Sequence, residues 1–107
     1  MANPWAGEVL IHLDGKPHVC KLTLGALAEL EGGLEDETFV ELVERFEAGR
    51  FRARDVLALV VAGLRGGGWQ GSTKDLRTVE IDGGPTEAAR AAAQMLARAF
   101  AMPETGR

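Results

Sequence analysis

The stretch from Ala53 to Gly68, Ala-Arg-Asp-Val-Leu-Ala-Leu-Val-Val-Ala-Gly-Leu-Arg-Gly-Gly-Gly, is the most apolar segment of the chain. It lies at the middle and ends on three glycines. At 100° per residue, Val56, Leu57, Leu59, Val60, Val61 and Leu64 spread over an arc of roughly 200°. A helix this apolar must be covered on more than one side, so the remaining elements have to wrap around it. Ala58, Ala62, Arg54, Asp55 and Arg65 fall on the other face, with Asp55 in the first turn and Arg65 in the last suiting the helix dipole. The run Val56 to Leu64 is far shorter than the roughly 20 residues of a membrane span.

What precedes this helix reads as a hairpin. Two strand-like runs, Glu8–Leu13 and Lys16–Leu22, flank Asp14-Gly15, the dipeptide that a type I′ turn demands because both central residues take positive φ. The two-residue loop sets the register: Leu13 faces Lys16, Ile11 faces His18, Val9 faces Cys20 and Glu8 faces Lys21. One face then carries Val9, Ile11, Leu13, Cys20 and Leu22, with His18 among them. The other carries Glu8, His12 and Lys21 with a Leu10–Val19 pair. Pro17 lacks an amide proton, which predicts an unpaired edge on the second strand at that point.

Helices follow on either side of the central one. Thr23 caps Leu24–Glu31, whose expected apolar stripe is Leu24, Leu27 and Leu30, and Gly32-Gly33 stops it. A second helix, about Glu37–Ala48, presents Phe39, Leu42, Val43 and Phe46 at i, i+3, i+4 and i+7. Its cap is either Asp36 or Thr38, the latter forming a capping box with Glu41. After the glycines, Thr73 can cap a short helix over Lys74–Val79, while Thr78, Val79 and Ile81 equally suit an extended piece. Gly83-Gly84-Pro85 opens an alanine-rich last helix, Pro85–Ala101, with Ala89, Ala92, Ala93, Leu96 and Phe100 as its expected stripe. The expectation is an α+β fold, an N-terminal β-hairpin packed on a small bundle of about four helices. It forms one globular domain over residues 7–101, between a flexible arm (1–6) and a flexible tail (102–107).

Composition narrows the function. Apolar residues make up 46% and charged residues 26% of the 107 residues, enough for a folded core. The net charge of −4 argues against a nucleic-acid binder, which rests on a cationic face. A lone Cys20 makes no internal disulfide, and the N-terminus shows no basic start followed by an apolar run. The expectation is a cytoplasmic protein that binds neither nucleic acid nor membrane.

Motifs for chemistry fall short. Gly66-Gly67-Gly68-Trp69-Gln70-Gly71-Ser72-Thr73 has glycines and hydroxyls near phosphate-loop spacing. Ser72 stands where the lysine belongs, and the loop leaves a helix rather than a strand. His12 and His18 lie on opposite hairpin faces, and His18 with Cys20 supplies too few ligands for zinc. Ser72 has no G-x-S-x-G context, and no tyrosine is present. The reading is no catalytic residue, no cofactor and no metal.

Charge order is more telling. Eight acids (Glu29, Glu31, Glu35, Asp36, Glu37, Glu41, Glu44, Glu47) stand against one base, Arg45, and then Arg50, Arg52 and Arg54 follow. One reading is a solvated helix face with an i,i+4 pair, Glu41–Arg45. The functional reading is an acidic surface for a basic partner or for a second copy. Glu37, Glu41, Glu44, Arg50 and Arg52 are the candidate partner surface, with the hairpin edge as a second one.

Taken together, Leu22-Thr-Leu-Gly-Ala-Leu-Ala-Glu-Leu-Glu31 and the Ala53–Gly68 stretch resemble a small family encoded in the tail gene clusters of gene transfer agents and related prophages of alphaproteobacteria. The Asp14-Gly15 hairpin and the alanine-rich last helix match as well, so the resemblance covers about residues 7–101. The run Glu35-Asp36-Glu37 is more acidic than the family pattern. The resemblance implies a non-enzymatic phage-tail assembly chaperone, also labelled a tail tube protein. Such a chaperone binds the tail tape-measure protein or the tube protein, with self-association as a further contact. The alternative it implies is a structural tube component retained in the particle. One short hairpin lacks the long strands of a closed inner β-barrel, which favours the chaperone.

Overall fold

The computed structural model describes residues 7–34 and 36–99. The expected arm (1–6) and tail (102–107) lie outside the described residues, as do Glu35, Ala101 and the Phe100 of the last expected stripe. Two antiparallel strands, β1 (Glu8–Leu13) and β2 (Lys16–Lys21), come first. Five helices follow: α1 (Leu24–Gly32), α2 (Phe39–Glu47), α3 (Ala53–Gly66), α4 (Thr73–Arg77) and α5 (Gly84–Ala99). This is the expected α+β arrangement, with the short α4 added to the four-helix estimate.

The hairpin register is the one the turn predicts, from Glu8 opposite Lys21 to Leu13 opposite Lys16. Asp14 at φ 50° and Gly15 at φ +81° make the type I′ turn. Val9, Ile11, Leu13 and Cys20 are buried on the inner face. Ile81 lies beside Leu13 as a one-residue bridge, with Asp14 N donating to Glu80 O at 2.8 Å and Asp82 N to His12 O at 3.0 Å. The ambiguous 69–82 segment therefore contains both forms, a helix capped by Ser72 rather than Thr73, then an extended touch at Ile81.

α3 is the centre of the core. It packs against β2, α1, α4 and α5, and its residues from Leu59 to Leu64 are all buried. Burial reaches further round than the expected arc, because Ala62 and Asp55 are inside as well. The three terminal glycines do two separate things. A Cβ on Gly66 would lie 2.0 Å from the Lys21 carbonyl oxygen, and one on Gly67 would lie 1.9 Å from that of Val19. Both glycines let the end of α3 press against the outer edge of β2. Gly68, at φ +107°, takes the left-handed position of a Schellman ending. There Trp69 N donates to Leu64 O at 2.9 Å and Gly68 N to Arg65 O at 3.1 Å.

Two stripes differ from expectation. In α1 the inward residues are Ala26 and Leu30, with Leu27 half-buried, whereas Leu24 in the first turn is 85% exposed. In α5 the buried set is Ala88, Ala91, Ala92, Met95 and Leu96, while Ala89 is half-buried and Ala93 faces water. Alanines stand on both the buried and the exposed sides of α5, so they do not by themselves mark the inward face, and Met95 and packing on α3 set the rotation.

Candidate partner-binding surface

The five residues of the candidate surface come together. Glu37, Glu41, Glu44, Arg50 and Arg52 line one groove of about 650 Å³, with Asp36, Arg45, Arg54 and Asp55. It is bounded by the segment before α2, by α2 itself, and by the turn into α3. Local chemistry builds each wall. Thr38 Oγ1 accepts from Glu41 N at 3.1 Å, and the Glu41 carboxylate accepts from Thr38 N at 2.9 Å, which is the capping box in full. At the start of α3, Asp55 plays the carboxylate half of the same arrangement, accepting from Arg52 N at 2.7 Å. Phe51 then folds back so that its ring stacks on Phe46, centroids 4.5 Å apart.

Arg45 occupies the centre. The i,i+4 pair with Glu41 is not formed, because Glu41 is committed to its own cap. Arg45 instead reaches Glu37 through Nε (2.6 Å) and Nη2 (2.8 Å), and Asp55 through Nη1 (2.7 Å) and Nη2 (3.1 Å). A fifth bond runs from Nη1 to the Arg50 carbonyl at 3.1 Å. All five guanidinium protons are used, two carboxylates being gripped in the planar fork that only arginine provides. The hydrogen bonds from Arg45 hold Asp55 below the ordinary carboxylate range against the effect of its burial, and the Arg52 amide adds to this. Glu37 is lowered by the same guanidinium, which is itself pushed up.

The electrostatics divide the surface in two. Glu37, Arg45 and Asp55 are spent on one another and tie α2 to both flanking segments. Glu44, Arg50 and Arg52 are exposed, and their side chains make no ion pair among the described residues. Asp55 was not among the sequence candidates, although an acid three residues after the residue that begins a helix is the available signal.

The second candidate, the hairpin edge, is largely occupied. Gly66 and Gly67 cover β2 at Lys21 and Val19. On β1, Arg98 donates to the Glu8 carbonyl, and Asp82 pairs with His12. His12 lies opposite Pro17 and His18 opposite Ile11, which separates the two imidazoles as the register requires. Cys20 is fully buried, and burial pushes its thiol up to about 12, so it is a core residue rather than a nucleophile. Among the described residues there is no group of three or more metal-ligating side chains, and no helix long and apolar enough to cross a membrane.

A protein-family model described as phage tail tube protein, GTA-gp10, matches residues 6–102. No curated protein and no solved structure matches the chain. The family is one of structural phage-tail proteins rather than of enzymes. Spanning nearly its whole length, the match places the hairpin, all five helices and the charged groove within one family unit, and the chain belongs to the phage tail tube protein family, GTA-gp10.

Proposed function

We propose that this chain is a non-enzymatic structural component of the tail of a gene transfer agent, retained in the particle. The observation that carries the reading is the family match across residues 6–102. The groove is compatible with it. Its central cation is saturated by internal partners, so it offers exposed charge for protein contact in place of a reactive group. Glu44, Arg50 and Arg52 form the contact surface for neighbouring tail proteins or for other copies, Glu37 and Glu41 holding the walls of the groove through Arg45 and the Thr38 cap, and the chain is cytoplasmic until assembly.

A second reading, the assembly chaperone that binds the tape-measure protein, is favoured by one observation. Among the described residues the only sheet is a hairpin of two six-residue strands with both edges largely covered. Such a sheet supplies little for the wall of a tube. Quantitative mass spectrometry of purified particles separates the two readings. A retained component is abundant, in a fixed ratio to the other tail proteins. Absence from particles, together with failed tail assembly in a deletion strain, overturns the structural reading and leaves the chaperone.

A further inference from the structure

We infer that the charged groove of α2 is self-complementary and closes on a second copy of this chain, the two related by a two-fold axis. This rests on the reading of that surface as a protein contact and names its occupant. Part of the charge in the lining is already balanced. Arg45 holds Glu37 and Asp55 directly, and the charge of Arg52 reaches the same two carboxylates. What remains is sorted by wall. Asp36 and Glu44 stand on the segment before α2 and on α2 itself, whereas Arg50 and Arg54 stand on the turn after it and in the first turn of α3. All four are exposed, and none makes an ion pair among the described residues. Glu41, held at its cap by the Thr38 amide, adds its charge to the acidic wall.

Each wall thus gathers charge of one sign. Glu41 and Glu44 are three residues apart on one helix, where like charges repel and an incoming cation relieves them. An occupant that satisfies both walls has to carry a basic strip beside an acidic one, in matching order. A partner acidic or basic throughout would suit one wall and be repelled by the other. A second copy has the required order by construction. Turned about a two-fold axis, its Arg50 and Arg54 meet Asp36 and Glu44 of the first chain, while its own acids meet the first chain's arginines. Both walls of both copies are satisfied in one isologous contact, which closes as a dimer and leaves nothing to propagate. Val40, 56% exposed and one turn before Glu44 on α2, gives the contact an apolar point. Exposed charges carry most of the recognition, so the association is weak and sensitive to salt.

The test is sedimentation equilibrium of the full-length chain. The wild type should form a dimer whose dissociation constant rises at least about tenfold between about 0.05 and 0.5 M salt. Glu44→Arg and Arg50→Glu, both at exposed positions, should each weaken the dimer at least about tenfold, because like charges then face each other across the axis. Mixed in equal amounts, the two variants should regain a dimer of near wild-type affinity, since each reversed charge meets an opposite one on the other chain. Both variants keep a negative net charge, so general attraction between them does not account for such a recovery. A wild type that stays monomeric, variants that leave the dimer unchanged, a mixture that does not recover, or assemblies larger than a dimer overturn the inference. A monomer would leave the groove to another tail protein, and abundance in particles is read independently, so the inference and the structural reading fail separately.

Discussion

Arg45 is the residue on which the charged groove turns. Asp55 is 7% exposed, and Arg45 is its main counter-ion. Arg45→Ala should therefore cost about 2–4 kcal/mol in urea unfolding, because it strands a buried carboxylate. Arg45→Lys should recover only part of this, since an ammonium has three donors and no fork. The sign with pH follows from the lowered native values of Asp55 and Glu37. As pH falls through about 4, the unfolded chain takes up protons before the native one does. The stability these carboxylates contribute is present above that range and is lost on further acidification. Asp55→Asn should flatten the acid limb of a stability profile measured between about pH 5 and 3, and an unchanged limb would refute the assignment. The Arg45 network was not legible in the sequence for a physical reason. Glu37, Glu41 and Asp55 all stand within reach of Arg45 on paper. Which of them it holds depends on a cap claiming Glu41 and on a turn bringing α3 back.

At the scale of elements, the contrast between glycines is the sharpest check. Gly66→Ala places a Cβ against the backbone oxygen of Lys21, so α3 or β2 must shift, at an expected loss of about 1–3 kcal/mol. Gly25 is helical and exposed, and its nearest atom, Thr23 Oγ1, lies 3.9 Å from the added Cβ. Gly25→Ala should gain about 0.5–1 kcal/mol from helix propensity alone. Thermal unfolding of the two variants should move in opposite directions, and a common direction would remove the close-approach argument. The hairpin and the Thr38–Glu41 cap were readable because their determinants lie within a few residues of each other. The close approach was not, because a glycine that ends a helix and a glycine that admits a neighbouring strand look the same in one dimension. Leu30 on α1 and Ala92 and Leu96 on α5 are buried as expected, while the rest of those inward faces escaped for a related reason, being set by the helix they pack on.

For the whole molecule, one continuous core runs from the inner face of the hairpin through α3 to α5, and Cys20 sits within it. Its thiol should react with an aromatic disulfide reagent only through global opening. The labelling rate should then track unfolding free energy across destabilised variants such as Arg45→Ala. Fast labelling of the native chain at neutral pH would show that the hairpin opens by itself. The breadth of the α3 apolar arc places that helix at the centre, where it packs on β2, α1, α4 and α5. The closure of the hairpin edges has a consequence for manufacture in the cell. A protein made in many copies beside other unassembled subunits risks strand-by-strand growth into insoluble material. With β2 lying under the end of α3 and β1 held by Arg98 and Asp82, the unassembled chain has little open strand to offer such growth, so its contacts are left to side chains that can be released again.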